Sequence, residues 1–247
     1  MSLMAAIGRY RLSRRLATSL RKRVAQLTRP TGYRITSANG VYFLTNWRNF
    51  VDRQVDFFGD YEREQVAFLI DRLARDGCSV FADIGANFGY YAVQIARRYP
   101  AMRVLAFEPD QRNLAQLQAN LLINGLVGRV ETHPVAVTAE AGDLPFHAYP
   151  DSSTGQSRVD ATAIGTVPGV RLDDVLALGS ERLALKIDVE GHEFEALQGM
   201  PRLLERNVAL IQVESFPSNA AALEAFLDRT GFSPIRRIGD DRFFIKS

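Results

Sequence analysis

The sequence has few of the features that would place it in a membrane or a secretory compartment. Only Cys78 among its 247 residues is a cysteine, which excludes an intrachain disulfide and favours a reducing compartment. No uninterrupted apolar run approaches the roughly 18 residues of a membrane span. Internal repeats and low-complexity tracts are missing as well, so we expect a globular, cytoplasmic protein with one large core.

The glycine pattern of dinucleotide-binding enzymes, G-x-G-x-x-G, is also missing, which argues against a nucleotide-dependent oxidoreductase. Residues 83–89 instead read D-I-G-A-N-F-G and follow the apolar run 79–82, which is typical of a buried strand, a tight turn and a helix. The carboxylate of Asp83 would repel a pyrophosphate, but it suits a sulfonium cation or an ammonium group. S-adenosylmethionine carries both. The alternative is a strand–helix turn that binds no ligand.

A second apolar run, 104–107, ends at Glu108, whose carboxylate can accept two hydrogen bonds from a ribose. We expect Gly85 and Gly89 to let the backbone approach the ligand where a side chain would clash. The two strand ends together predict a site for a nucleoside cofactor. The residues assigned to this site are Asp83, Gly85, Ala86, Asn87, Gly89, Glu108 and Pro109.

Acidic residues are absent from residues 1–30, which carry eight basic ones, although the whole chain has a net charge of only +2. The remainder carries 22 basic and 28 acidic residues, a net charge of −6. Apolar residues recur at helical spacing and predict a basic amphipathic helix that ends at Pro30. Three roles stay open for it: packing on the domain, peripheral contact with a membrane, or contact with an acidic partner. The interspersed arginines argue against a secretory signal.

The rest of the sequence alternates between strand-like and helix-like segments. The Asn39-Gly40 pair predicts a hairpin, so residues 1–60 are interpreted as a helix and hairpin extension and residues 61–247 as the main domain. Repeated strand–helix units predict an α/β, doubly wound, mostly parallel sheet whose last two strands lie antiparallel at one edge. The predicted strands are 79–84, 103–108, 129–137, 182–188 and 208–214, the predicted helices are 61–75, 88–98, 111–124, 192–205 and 218–230, and 139–169 is irregular.

A second group of charged residues follows the apolar run 183–185. Alternation along this strand places Lys186 and Asp188 on one face, and Glu190 and His192 follow directly. Clustered carboxylates with a lysine and an imidazole can supply a general base, so all four residues are assigned to catalysis. The alternative for Lys186 is a structural ion pair, because an unpaired lysine in a buried strand is costly. We expect His192 to begin a helix and point into the cleft, with capping or solvent exposure as alternatives.

The run K-I-D-V-E-G at 186–191, with Glu193 two positions on, resembles the signature of the FkbM-type S-adenosylmethionine-dependent methyltransferases. Other segments similar to motifs of this family are 83–91, 106–110, Asn120, Asn124, 172–174, Val213-Glu214 and Tyr61-Glu62. The resemblance covers about Tyr61 to Glu214. It implies a Rossmann-like class I methyltransferase fold with a seven-stranded sheet. It also implies a small-molecule or glycan acceptor, methylated on a hydroxyl of a sugar, glycolipid or polyketide.

Residue by residue, the resemblance supports cofactor binding at Asp83, Gly85, Asn87, Gly89 and Glu108. Many methyltransferases present an acid to the adenine at the end of the third strand. This chain has P-V-A-V at 134–137 instead, so we expect apolar contact between the adenine and Val135. Asp188 is assigned to the cofactor as well as to catalysis. His192 stands where the family often has a small residue.

The mechanism that follows is a hypothesis about proton removal. Asp188 or Glu190 takes the proton of the acceptor hydroxyl, and Lys186 orients the acceptor or keeps the carboxylate ionised. His192 is a further candidate base. In a variant of this mechanism, Asp188 and Glu214 at adjacent strand ends chelate Mg²⁺, which lowers the pKa of the acceptor.

Other functions stay open. The basic N-terminal segment suggests a methyltransferase that acts on nucleic acid or protein. The net charge of −6 over the remainder and the lack of an N-P-P-Y-type motif argue against nucleic acid, which is not expected as a partner. A nucleotide-dependent oxidoreductase and a cofactor-binding protein without catalysis are the remaining alternatives. A homo-oligomer also stays open.

Overall fold

The computed structural model describes residues 32–216 and 219–246, so the predicted basic helix in residues 1–30 lies outside the described residues. The strands are β1 (Tyr33–Ala38), β2 (Val41–Asn46), β3 (Val80–Ile84), β4 (Arg103–Phe107), β5 (Val130–His133), β6 (Ala136–Val137), β7 (Gly142–His147), β8 (Arg158–Val159), β9 (Thr166–Val170), β10 (Leu183–Ile187), β11 (Val208–Glu214), β12 (Phe232–Ile238) and β13 (Asp241–Lys246). The helices are α1 (Phe50–Phe58), α2 (Arg63–Arg75), α3 (Tyr90–Arg98), α4 (Gln111–Ile123), α5 (Leu172–Val175), α6 (Glu193–Gln198), α7 (Pro201–Arg206) and α8 (Ala220–Arg229), with a 3₁₀ turn at Thr154–Gln156. None of these helices is long and apolar enough to cross a membrane.

The central sheet of the described chain has seven strands in the order β12-β13-β11-β10-β3-β4-β5. Neighbours pair in parallel, except that β13 runs antiparallel to both β11 and β12. The predicted doubly wound, mostly parallel sheet with an antiparallel last strand is therefore confirmed. The strand order reverses at β3, between β10 and β4, and doubly wound sheets bind their ligands at such a switch point.

Burial explains why β3 is central. All five of its residues are buried, and they alternate between two core clusters. Phe81 belongs to the cluster on one face, whereas Val80, Ala82 and Ile84 belong to the cluster on the other. A strand covered on both faces reads as a near-continuous apolar run, and in β3 only Asp83 interrupts that run.

The predicted hairpin is formed by β1 and β2 and packs on the domain. Phe43 is fully buried in a core cluster that it shares with the sheet. Two asparagines of the α4 region hold the hairpin. Asn120 accepts a hydrogen bond from the N–H of Leu44 at 2.6 Å, and Asn124 accepts from the N–H of Tyr42 at 2.9 Å. The division of the chain at residue 60 stays a prediction.

Some predicted elements are wrong in detail. The strand predicted at 129–137 is broken at Pro134, which has no N–H to donate, and its second part pairs with β9 outside the central sheet. The helix predicted at 192–205 is two helices, because Pro201 starts a new one. The segment 139–169 contains β7, β8 and β9, which the sequence analysis treated as irregular. Helix α1 was not predicted.

Candidate active site

Two adjoining cavities open at the switch point, with volumes of about 400 Å³ and about 50 Å³. The residues that line both are Gly85, Asn87, Gly155, Asp188 and Glu190. The smaller cavity also contains Glu108 and Pro109, and the larger contains Ala86, Lys186 and Glu62. The two charged motifs predicted from separate parts of the sequence therefore meet at one place. The larger cavity has the size of a small-molecule site.

The turn after β3 requires glycine. Gly85 has a φ of 82°, and a Cβ atom there would collide with the backbone carbonyl of Asp188 at the end of β10. Gly89 has a φ of 85°, and a Cβ atom there would collide with Leu117 of α4. Both close approaches are to protein atoms, so packing of the turn already accounts for the two glycines. Gly85 lines the cavities, whereas Gly89 does not.

Asp83 lies beneath this turn and lines neither cavity. Its side chain is buried, and Oδ2 accepts a hydrogen bond from the N–H of Ala92 in α3 at 3.1 Å. The other oxygen, Oδ1, has no hydrogen-bond partner among the described residues. Burial raises the pKa of Asp83 to about 6, and the charge of Lys186 opposes this rise. Asp83 therefore contributes a buried negative charge next to the cavities without contacting them.

Glu108 follows β4 and is fixed by backbone donors. It accepts hydrogen bonds from the N–H of Asn87 at 2.7 Å and from the N–H of Asp110 at 2.8 Å. Burial raises the pKa of Glu108 to about 7, and these hydrogen bonds oppose the rise. The glycine turn and the acid at the second strand end, which were predicted separately, are thus joined by a direct hydrogen bond.

Lys186 and Asp188 form an ion pair on one face of the strand end, as strand alternation predicts. Lys186 Nζ lies 2.9 Å from Asp188 Oδ2 and 4.8 Å from the ring centre of Tyr91. Burial lowers the pKa of Lys186, but the charges of Asp188, Asp83 and Glu62 outweigh burial and hold it well above its ordinary value. Lys186 is therefore a permanent cation that neutralises part of an acidic cluster, and it cannot serve as a base.

Asp188 is also hydrogen-bonded to the side chain of Glu214, at the end of β11. Burial, followed by the charge of Asp188, raises the pKa of Glu214 to about 9, so Glu214 is protonated at neutral pH and donates this bond. The ammonium of Lys186, 2.9 Å from Asp188 Oδ2, already compensates the charge of this carboxylate and would repel a divalent cation bound to it. No group of three or more potential metal ligands occurs among the described residues. No step is therefore assigned to Mg²⁺.

Glu190 lines both cavities and takes no part in the Lys186–Asp188 ion pair or the Asp188–Glu214 hydrogen bond. It follows β10 with a φ of 55°, which is rare for a residue other than glycine, and it is half-buried. Among the described residues, no hydrogen bond or ion pair engages its side chain. Burial raises the pKa of Glu190 to about 7, and the charges of Asp188 and Glu193 add to the rise. Its carboxylate can therefore accept a proton near neutral pH.

Like Asp83 and Gly89, two further predicted site residues line neither cavity. His192 precedes α6, as expected, but it lines neither cavity. Its Nε2 atom lies 3.0 Å from the hydroxyl of Thr138, and burial lowers the pKa of the ring. The orientation into the cleft is therefore not observed. Val135 also lines neither cavity, and its side chain packs against a core cluster instead.

The larger cavity is bounded by two segments, residues 49–51 and residues 152–156, which we call the strap. The first was not predicted, whereas the second belongs to the segment 139–169, in which Ser152, Ser153 and Gly155 resemble features of the family's substrate loop. Asn49 Nδ2 donates to the hydroxyl of Thr154 at 2.6 Å, and the N–H of Phe50 donates to the carbonyl of Ser152 at 3.1 Å. Asn49 also caps α1. An asparagine before an apolar helical segment is an N-cap signal, so Asn49 could have been found from the sequence.

We expect the Asn49→Ala variant to be less stable by about 1–2 kcal/mol, because it loses the helix cap and the hydrogen bond to Thr154. Urea denaturation followed by circular dichroism measures this loss. A double-mutant cycle with Thr154→Ala isolates the hydrogen bond, with an expected coupling of about 0.5–1.5 kcal/mol. Strictly additive losses would show that the two halves of the strap do not stabilise each other.

Comparison with known proteins shows to which family the chain belongs. A model of the methyltransferase FkbM domain matches residues 83–234. The chain belongs to the FkbM methyltransferase family. The resemblance drawn from the motifs is thus confirmed, and the match includes both strand ends with Glu108 and the charged group at 186–193. It leaves out the hairpin, α1 and Glu62, which precede residue 83.

Methyltransferase sdnD of Sordaria araneosa is 29% identical over 190 residues, which cover 62% of this chain and 73% of sdnD. Hexuronic acid methyltransferase AglP of Haloferax volcanii is 26% identical over 157 residues, 62% of this chain and 63% of AglP. The chain thus spans less than two thirds of AglP. A solved Staphylococcus aureus structure, provisionally described as a caffeoyl-CoA O-methyltransferase, has a TM-score of 0.51 and 10% identity over 94% of this chain and all of its own. That likeness shows the fold alone.

Proposed function

We propose that this FkbM-family protein transfers a methyl group from S-adenosylmethionine to a hydroxyl group of a small molecule or glycan. The observation that carries the proposal is the position of Glu190. Its carboxylate has a pKa raised to about 7 and lines both cavities beside the glycine turn. A hydroxyl acceptor needs such a group, because it must lose its proton as it attacks.

The residues of the smaller cavity fit the nucleoside end of S-adenosylmethionine. Each oxygen of Glu108 accepts one backbone hydrogen bond and has capacity left for a ribose hydroxyl. Asp83 places a negative charge beneath the turn, which suits a cationic donor. When bound, S-adenosylmethionine supplies a methyl group on a positively charged sulfur. Gly85 and Asn87 line both cavities and would hold the donor where the two cavities adjoin.

Hydrogen bonding favours Glu190 over Asp188 as the proton acceptor. Asp188 is engaged by both Lys186 and Glu214, so it has less capacity left for the acceptor. His192 lies outside both cavities. We therefore assign proton removal to Glu190. The backbone of Asp188 packs against the glycine turn, with its N–H donating to the carbonyl of Ile84 at 3.0 Å, and the ion pair with Lys186 holds its side chain.

The larger cavity and the strap would bind the acceptor. Phe50, which is 54% exposed, and the side chains of Ser153 and Gln156 line it. A mixture of aromatic and polar side chains suits an organic acceptor with several hydroxyl groups. The relative AglP is named for hexuronic acid, a compound that offers only oxygen atoms to a methyl donor. The net charge of −6 outside residues 1–30 argues against nucleic acid.

Calorimetry on the full chain tests the donor. We expect binding of S-adenosylmethionine and S-adenosylhomocysteine and no heat with NAD⁺, because the site lacks a pyrophosphate-binding glycine loop. An acceptor screen that follows S-adenosylhomocysteine release then tests the acceptor atom, starting with hexoses and hexuronic acids. We expect turnover to be unchanged by EDTA. The proposal is contradicted if neither donor compound binds. Release with amine acceptors alone would contradict O-methylation.

A further inference from the structure

The larger cavity contains a carboxylate, Glu62, to which the proposed chemistry assigns no role. Glu62 follows the hairpin and α1 in the chain and directly precedes α2. Its Oε2 atom accepts a hydrogen bond from the hydroxyl of Tyr91 at 2.8 Å. Burial raises the pKa of Glu62 to about 7, and the charge of Lys186 opposes the rise. Among the described residues, the nearby ammonium of Lys186 is hydrogen-bonded to Asp188 and not to Glu62.

The backbone at Glu62 is strained. Its φ of 48° lies in the left-handed region, which residues other than glycine rarely adopt. Four such residues occur in the described chain, and three of them, Glu62, Asn87 and Glu190, line the larger cavity. Strain of this kind costs about 1–3 kcal/mol per residue and clusters at ligand sites. The position of Glu62 is therefore imposed by the fold and directed at the cavity.

The order of residues along the two cavities indicates which part of the donor would lie near Glu62. Glu108 lies in the smaller cavity, Glu62 lies in the larger one, and the glycine turn at Gly85 lines both. A donor whose ribose lies at Glu108 therefore has its amino-acid end on the side of Glu62. Of the other carboxylates in the larger cavity, Asp188 is paired with Lys186, and Glu190 is assigned to proton removal. Glu62 is held by the hydroxyls of Tyr91 and Tyr61 and forms no direct ion pair among the described residues, so it is the carboxylate left for a second cation.

We propose that Glu62 binds the α-ammonium group of S-adenosylmethionine, an inference that rests on the proposed function. An ammonium group has three N–H donors, and a carboxylate held by a tyrosine hydroxyl is a fixed acceptor for it. The bond gives Glu62 a directly hydrogen-bonded cation in addition to the nearby charge of Lys186. Tyr91 is a positioning residue in this arrangement, because its hydroxyl holds Oε2 and its ring lies against Lys186.

Calorimetry with two probes tests this assignment. S-adenosylhomocysteine carries the amino-acid end, and 5′-methylthioadenosine is the same nucleoside thioether without it. We expect Glu62→Gln to weaken binding of S-adenosylhomocysteine about 10-fold to 100-fold, the effect of one hydrogen bond between charged groups, and to leave 5′-methylthioadenosine within about twofold. Tyr91→Phe, which keeps the ring, should cause a smaller loss with the same selectivity.

Glu64→Gln is the matched control, since Glu64 is exposed on α2 and pairs with Arg236 at 2.8 Å outside both cavities. It should change neither affinity. Equal losses for both probes in Glu62→Gln would show that Glu62 only supports the fold, and an unchanged affinity for S-adenosylhomocysteine would also overturn the assignment. If the wild-type chain bound neither probe, the proposed function itself would fail, which is a distinct result.

Discussion

Replacing Glu190 by Gln is expected to lower kcat about 100-fold to 10,000-fold, because a positioned general base contributes a factor of this size. The amide has the same size and keeps a polar group in the cavity, so the affinity for S-adenosylhomocysteine should stay within about twofold. Rates of S-adenosylhomocysteine release and calorimetry measure the two quantities. Glu195→Gln is the control, since Glu195 is on α6 outside both cavities and should leave kcat unchanged. Full turnover by Glu190→Gln would remove this residue from the mechanism.

The raised pKa of Glu190 adds a pH signature. Because a base works only when deprotonated, kcat of the wild type at saturating S-adenosylmethionine should fall as the pH drops below about 7, and Glu190→Gln should lack this limb. Glu62 and Glu108, whose pKa values are also raised to about 7, act on donor binding and therefore on KM. The effect on stability has the opposite direction. A carboxyl whose folded pKa lies above its unfolded value of about 4.3 stabilises the fold below that value, and this contribution is lost as the pH rises through about 7. Urea denaturation should therefore show that the free energy of unfolding falls more between pH 5 and pH 8 for the wild type than for Glu190→Gln.

The parts of the site that could be predicted depend on short stretches of sequence. A buried strand followed by a glycine turn fixes where Gly85 lies, and strand alternation places Lys186 and Asp188 on one face. The carboxyl ends of parallel strands meet at one edge of a sheet, so Glu108 and Asp188 had to come close. For these residues, local pattern and topology were sufficient.

The parts that could not be predicted depend on contacts between distant segments. Asn49 has an N-cap signal of its own, but it contacts Thr154, which is 105 residues away, so no local pattern predicts that the two segments of the strap meet. The requirement for glycine at position 85 also has a distant cause, because a Cβ atom there would collide with the backbone of Asp188. From the sequence, this requirement was attributed to a ligand. His192 was placed correctly at a helix start, but its direction depends on Thr138, which is 54 residues away.

Lys186→Met is expected to lower the free energy of unfolding by about 3–5 kcal/mol at pH 8, the cost of removing one partner of a buried ion pair. Lys186 is 4% exposed, and its charge opposes the raised pKa values of Asp83 and Glu62. Without the ammonium, these two pKa values rise further. Stability is then lost as the pH rises through them, so the loss should be smaller at pH 5.5, where the acids are protonated.

Urea denaturation at the two pH values measures both losses, and two variants identify the cause. Lys246→Met removes an ammonium whose hydrogen bonds within the described part of the chain go to the neutral carbonyls of Leu204 and Thr230, so its effect should not depend on pH. The double variant Lys186→Met/Asp188→Asn should recover part of the stability, because removing both partners leaves less uncompensated charge. If Lys186→Met instead behaved like Lys246→Met at both pH values, Lys186 would act through packing. The acidic cluster would then have to be stabilised by something other than this ammonium.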